Sequence, residues 1–379
     1  MGNLELIKEM PKKLGFGCMR LPIIGDDSAN IDYDCFSKMI DHFIAEGFNY
    51  FDTAYPYHNE KSEAAVKKCL IERYPRESFY LADKMPVWMI KDNKDYKPIF
   101  DTQLERTNAG YFDFYLLHAL DEERFELLEK TGGFDFIKDM KAAGKIKHIG
   151  FSFHDSAAVL EKILKAHPEL EFVQLQINYF DWDSKNVQSG DCYRVAEKYN
   201  MPVIVMEPVK GGTLANLIDK PAEILTDLSG NSGASYASYA VRFAASLPNV
   251  MMVLSGMSTM EQLVDNTAYM KDFKPLSDKE QAAIKQVSEE LEKMKAIPCT
   301  RCQYCVEGCP QKIMIPSVFA VYNMSMQFGI NDTIKRQYGD VTYGRGKASQ
   351  CIECGKCEGH CPQHLEIRKL LKEVSAALE

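Results

Sequence analysis

The chain has 379 residues, more than one hydrophobic core usually serves, so two domains are expected, one of them large enough to be a barrel. Its formal net charge of −9 argues against nucleic acid or an anionic membrane surface as the main partner, because both need basic patches. Small molecules and other proteins remain.

The opening MGNLELIKEM lacks the basic start and apolar stretch of a signal peptide, and no apolar run reaches membrane-spanning length. Leu6 stands where a myristoylated chain carries Ser or Thr. A soluble cytoplasmic protein is expected, and its twelve cysteines are read as metal ligands before disulfides.

From Lys13 to about Met270, short β-rich runs alternate with amphipathic stretches, the pattern of parallel strands joined by crossover helices. Eight strands are predicted: LGFGCM from Leu14, FNYFDTA from Phe48, FYLADK from Phe79, FDFYLLH from Phe112, IKHIGFSF from Ile146, EFVQLQIN from Glu171, VIVMEP from Val203 and MMVLSG from Met251. In DYDCFSKMIDHFIAEG, the residues Phe36, Met39, Ile40 and Phe43 share one helical face. Eight β/α units predict an α/β fold, a (β/α)8 TIM barrel over residues 1–276 with its active site at the C-terminal strand ends. An open doubly wound sheet is the alternative, but no G-x-G-x-x-G follows the first strand.

Four polar residues fall at or just beyond successive strand ends, namely Asp52 and Tyr57 after the second, Lys84 at the third and His118 at the fourth. On a barrel they converge on one mouth. There Lys84 can lower the pKa of Tyr57, Asp52 can hold the lysine, and His118 can orient a substrate carbonyl. Singly, Asp52 with Lys84 reads as a structural ion pair, Tyr57 as a rim aromatic and His118 as a satisfied core histidine. Together they form a general acid able to protonate an alkoxide as hydride reaches carbon.

The segments FDTAYPYHNE, LADK, FDFYLLH and GFSFHD resemble the aldo-keto reductase family across nearly all of the barrel. The resemblance implies Tyr57 as proton donor, Asp52 and Lys84 as its tuning partners, His118 as orienter, and a nicotinamide cofactor extended across the mouth. It implies Ser152 and Gln174 as contacts to the nicotinamide amide, although Phe153 stands where an Asn is usual. Met206 replaces a stacking tyrosine, and Ala119 replaces the tryptophan that often follows the histidine. Gly211 and Gly212 allow close approach of a pyrophosphate, and Ser255, Gly256 and Met257, with Gln262 and Asn266, occupy the phosphate-binding loop after the eighth strand. Gly256 and Gln262 make the ribose clamp neutral, so NADP and NAD both stay open.

The stretch SDKEQAAIKQVSEELEKMKAI carries a capping box, Ser277 with Glu280, and reads as a connecting helix over 277–298. Between Ile315 and Gln350 the sequence shows one short helix pattern, SVFAVYNMSMQF, followed by a polar run containing glycine. Across 299–379 the dominant signal is Cys299-x-x-Cys302-x-x-Cys305-x-x-x-Cys309-Pro310, repeated as Cys351-x-x-Cys354-x-x-Cys357-x-x-x-Cys361-Pro362. Three thiolates at this step wrap one iron-sulfur cubane while the fourth reaches a second cluster. Cys299, Cys302, Cys305 and Cys361 are expected on one [4Fe-4S] cluster, and Cys351, Cys354, Cys357 and Cys309 on the other. Paired zinc sites are the competing reading, disfavoured by the third cysteine and the Cys-Pro ending. Both motifs resemble bacterial two-cluster ferredoxins, with a longer intervening stretch that is closer to the mainly α-helical ferredoxin domains of larger oxidoreductases. Cys18, Cys35, Cys69 and Cys192 lack such spacing and are assigned to packing.

A nicotinamide gives two electrons as hydride whereas each cubane takes one, so direct exchange needs a converter. Flavin is the usual one; no flavin motif marks this chain, yet a barrel phosphate site can hold FMN. The expected function is an iron-sulfur oxidoreductase interconverting a carbonyl and an alcohol, with NAD(P)H, electrons passed through the clusters, or both, and with a redox protein as a further partner. Two alternatives stand beside it. One is a nicotinamide-dependent carbonyl reductase with structural or redox-sensing clusters, and the other an electron-transfer or interaction protein with an inactive barrel.

Overall fold

The structure is a computed structural model that describes residues 4–379 except 11, 26, 186, 231–232, 295–296, 300–302, 304, 307 and 362. All eight predicted strands form, with ends within two residues of expectation: β1 Leu14–Gly17, β2 Tyr50–Asp52, β3 Tyr80–Met85, β4 Phe112–Leu120, β5 Ile146–Phe153, β6 Phe172–Gln176, β7 Val203–Met206 and β8 Val250–Ser255. Each pairs in parallel with the next, and β8 pairs with β1. The sheet is therefore a closed barrel.

Strands covered on both faces read as nearly continuous apolar runs, and β4 shows how successive residues divide between those faces. Phe114 and Leu116 join an inner cluster with Tyr50, Phe172, Ile204, Met252 and Leu254. Tyr115 and Leu117 instead join the outer cluster packed against the helices. Leu6 and Met10, at and just after a short helix Glu5–Glu9, complete the inner cluster. Gly150 lets β5 approach β6, since a Cβ there would lie 2.5 Å from the Phe172 carbonyl oxygen. The helix Tyr33–Ala45 buries Phe36, Met39, Ile40 and Phe43, the predicted face. Its first turn is capped by the Asp32 carboxylate, which accepts from the Cys35 amide at 2.9 Å. Burying each of those phenylalanines stabilises the barrel by roughly 1.5–3 kcal/mol.

By contacts the chain divides into two compact units, one of residues up to Lys210 with Ala237–Ser277, the other of Gly211–Tyr236 with Asp278–Glu379. The second unit is helical. Asp219–Ser229 packs on Asp278–Lys293, and Ile315–Phe328 packs on both Asp332–Thr342 and Ile367–Leu378. The polar run after Phe328 is thus not wholly irregular, which corrects the expectation of one helix between Ile315 and Gln350. Asn331 caps Asp332–Thr342 by accepting from the Ile334 amide at 3.1 Å. Only Ile334, Tyr338 and Thr342 are buried, one residue per turn, so its apolar stripe is too thin to read. Asn323 exchanges two hydrogen bonds with the Ile297 main chain at 2.7 and 2.8 Å, fixing the backbone that leads into the cysteines.

Candidate functional site

At the C-terminal end of the barrel the Lys84 ammonium is wholly buried. It donates to Asp52 Oδ1 at 2.5 Å, to the Thr53 carbonyl at 2.8 Å and to the Tyr57 hydroxyl at 3.3 Å. Burial alone would push Lys84 down, but the Asp52 carboxylate and the Tyr57 oxygen hold it above the usual lysine range. Burial also raises Asp52, outweighing the opposing pull of Lys84 and Gln174. Tyr57 is raised too, because burial exceeds the lowering by the neighbouring ammonium. Lys84 does pull the phenol down, as expected, but the net direction is up. Tyr57 rests as a protonated phenol.

The loop that carries Tyr57 is strained and tied. His58, Asn59 and Glu60 take successive left-handed φ values of 54°, 51° and 66°, costing on the order of 1 kcal/mol or more each for residues with a Cβ. The His58 ring offsets this by accepting from the Leu21 amide at 2.9 Å and bonding the Ser28 carbonyl at 2.7 Å. Arg106 holds Glu60 at 2.6 Å. His58 was missed as a positioning residue, since nothing in HNE signals a left-handed run.

His118 lies where the β4–β5 register slips, between Leu117 and Leu120. Ala119 is left-handed at φ 58°, and its amide donates to Ser152 Oγ at 2.7 Å while its carbonyl accepts from Arg124 at 2.5 Å. Such a bulge re-aims a side chain. The His118 ring sits edge-on to Tyr57 at 6.2 Å between centroids and against Trp88 at 5.1 Å. An indole from the loop after β3 therefore lies beside the histidine, although the position following it is Ala119. Burial, then the Lys84 charge, hold His118 well below the usual histidine range, and its Nδ1 has no hydrogen-bond partner. The imidazole is neutral.

The remaining candidates are placed as follows. Gln174 is buried and donates its amide to Asp52 Oδ2 at 3.2 Å, leaving its oxygen to accept from a ligand. Met206 is half-buried at the end of β7. Ser255, Gln262 and Asn266 form one network, with Ser255 Oγ donating to Asn266 Oδ1 at 3.4 Å and the Asn266 amide to the Gln262 carbonyl at 2.6 Å. Met257 is packed in the apolar core, so only its main chain faces the loop. At Gly256 an added Cβ would meet the Arg20 stem at 3.2 Å, which places a cation from the β1 loop beside a clamp read as neutral. Gly211 and Gly212 have φ of 68° and 99° and open the segment that belongs to the second unit. Phe153 is buried at the edge of an open cavity at the ends of β5 and β6, lined also by His154, Asp155 and Gln176.

Behind Lys84 lies a carboxyl pair that the sequence did not flag. Burial, then the Glu63 carboxylate, hold Asp83 well above the usual carboxylate range, and burial raises Glu63 as well. Arg106 balances the pair through Glu63 at 3.1 Å, and Gln103 bonds Asp83 at 3.0 Å.

In the second unit the cysteines line two cavities. Cys299, Cys305 and Cys361 border one, with Phe319 and Leu365. Cys309, Cys351, Cys354 and Cys357 border another. Each cavity thus draws three cysteines, or two, from one motif and one from the other. Cys302 lies outside the described residues. Among the described residues no three Cys, His, Asp or Glu side chains converge closely enough to hold a single metal ion. Cys18, Cys69 and Cys192 are buried, and burial raises all three thiols and Cys35.

Comparison with known proteins follows the same division. A family model described as the aldo/keto reductase family matches residues 13–289, and one described as a 4Fe-4S dicluster domain matches residues 298–365. The uncharacterized oxidoreductase YqkF of Bacillus subtilis is 23% identical over 289 residues, 67% of this chain and 85% of that protein. An NAD(P)H-dependent D-xylose reductase of Scheffersomyces stipitis is 28% identical over 195 residues, 44% of this chain and 56% of that protein. An aldo-keto reductase from Klebsiella pneumoniae, solved in complex with NADPH, has 18% identity and a TM-score of 0.58, covering 73% of this chain and 90% of its own. That likeness is one of fold.

Proposed function

Because this chain belongs to the aldo/keto reductase family and carries a 4Fe-4S dicluster domain at its C-terminus, we propose that it reduces a small-molecule carbonyl to an alcohol at Tyr57, Lys84, Asp52 and His118. The observation that carries this reading is the buried Lys84 ammonium bonded at once to Asp52 and to the Tyr57 hydroxyl. Tyr57 gives its proton to the carbonyl oxygen as negative charge develops there. Lys84 then stabilises the phenolate left behind, and Asp52 keeps the lysine charged and aimed. His118, neutral and held by the β4 bulge, offers a ring nitrogen to the same oxygen without competing as an acid. The resting protonation states, phenol and neutral imidazole, suit the reductive direction.

A nicotinamide, when bound, supplies the hydride. The donor set at the mouth fits its amide: Ser152 keeps its hydroxyl hydrogen while accepting from Ala119, and Gln174 keeps its carbonyl oxygen. Met206 offers a soft, half-buried surface for a ring. Ser255, Gly256, the Met257 main chain, Gln262 and Asn266 are the phosphate side of this reading.

Two [4Fe-4S] clusters, when bound, supply one-electron transfer. Cys299, Cys302, Cys305 and Cys361 would hold the first, and Cys351, Cys354, Cys357 and Cys309 the second. Support comes from the two cavities and their crossed cysteine linings.

The test is Tyr57→Phe. Loss of the proton donor should lower carbonyl reduction by about 10²–10⁴-fold, with NADPH binding and cluster absorbance unchanged. Turnover equal to the parent protein would overturn the assignment.

A further inference from the structure

The cavity lined by Cys351, Cys354, Cys357 and Cys309 opens on a surface unlike the rest of an acidic chain. Cys354 itself is exposed, and beside it Ile352 is 57% exposed. The segment before Cys351 is pinned to the cavity wall, because Ile313, which lines the cavity, bridges Gly346. Gly346 is required there, since a Cβ would fall 2.3 Å from the Gln311 carbonyl oxygen. This bridge places Lys312 next to Ile313, and Arg345 and Lys347 on either side of Gly346. Within the Cys351 motif, at the start of the short helix Lys356–Gly359, the Lys356 Cβ lies 4.0 Å from the Cβ position of Gly308, another lining residue. Lys312, Arg345, Lys347 and Lys356 are all exposed, and none is in an ion pair among the described residues. Of the nearby carboxylates, Glu353 is held by Lys372 at 2.8 Å and Glu358 by Arg368 at 2.8 Å, while Glu379 bonds Ser349 and feels the Lys347 charge without pairing with it. Tyr343, three residues from Gly346, is 88% exposed.

We propose that this face docks a small acidic one-electron carrier protein, with Ile352 and Tyr343 as apolar contacts and Lys312, Arg345, Lys347 and Lys356 as the cationic ring. The inference rests on the reading of the cysteines as cluster ligands. A carrier that must arrive, exchange and leave needs a small interface and fast encounter, which free surface cations provide through long-range attraction to an acidic partner. The cations already held by carboxylates contribute little to such a field. A group of exposed cations outside any ion pair, beside an exposed cysteine and isoleucine, is complementary to an acidic carrier, whereas a basic one is repelled.

The experiment uses the anaerobically purified, cluster-loaded full chain and two probes of similar size, an acidic ferredoxin and a basic c-type cytochrome, with affinity measured over a salt series. The acidic probe is expected to bind and to weaken steeply as salt rises, while the basic probe binds at least ten-fold more weakly. Lys347→Glu with Lys356→Glu should lower affinity for the acidic probe by about ten-fold or more, with cluster absorbance and NADPH affinity unchanged. Equal binding of the two probes, absence of salt dependence, or an unaltered affinity in the charge-reversed variant each overturns the docking surface. Absence of cluster absorbance in the parent protein would instead overturn the reading of the cysteines, so the two failures are separable.

Discussion

Lys84→Met removes one member of a buried ion pair and leaves the other in place. The Lys84 and Asp52 side chains are 0% and 3% exposed, with 2.5 Å between nitrogen and oxygen. At an effective dielectric of about 20 the gross attraction is roughly 6–7 kcal/mol, most of it offset by desolvation of both ions. Deleting one partner strands a buried carboxylate, for which about 3–5 kcal/mol of destabilisation is expected. For a unit of this size that is a fall in melting temperature of about 6–20 °C. The chain has two tryptophans, Trp88 and Trp182, both in the barrel unit, so their fluorescence follows that unit alone. Burial already raises Asp52, and without Lys84 it rises further. A group whose folded pKa lies above its unfolded value stabilises the fold at low pH and loses that contribution as pH rises through the folded pKa. The deficit of Lys84→Met should therefore be large at pH 8 and shrink toward pH 4. Adding Asp52→Asn removes the stranded charge and should recover most of the stability, while catalysis stays lost in both variants. A loss below about 1 kcal/mol, a deficit that grows as pH falls, or a double variant no more stable than Lys84→Met would refute this account of the pair.

Two further outcomes follow from the same geometry. His118 is held well below its ordinary value of 6.5 and Tyr57 above its ordinary value of 10.0, so kcat/KM for carbonyl reduction should be flat from pH 6.5 to pH 9; an acid limb at the usual histidine value would show that His118 titrates unshielded. Cys309→Ala and Cys361→Ala exchange their expected damage: by paramagnetic resonance of the reduced protein, the first should lose the cluster of the Cys351 motif and the second that of the Cys299 motif, and loss of the cluster of the residue's own motif would reject crossed ligation.

The sequence alone determined the barrel, because eight short apolar runs alternating with amphipathic helices leave little else that buries both faces of a parallel sheet. It also determined which residues share a helix face, as with Phe36 and Phe43, and the family resemblance carried by Asp52, Tyr57, Lys84 and His118. What it could not supply was anything set by contacts across many residues. The direction of the Tyr57 shift depends on how completely the mouth buries it, a sum over neighbours that no motif encodes. The upward shift of Asp83 and Glu63 requires two carboxyls twenty positions apart to be buried together. The His118 bulge exists because Ser152 and Arg124 reach the two ends of the Ala119 peptide, and the helix Asp332–Thr342 has one buried side chain per turn. Local pattern fixes where a strand or helix forms. Only packing fixes which charge a buried group keeps.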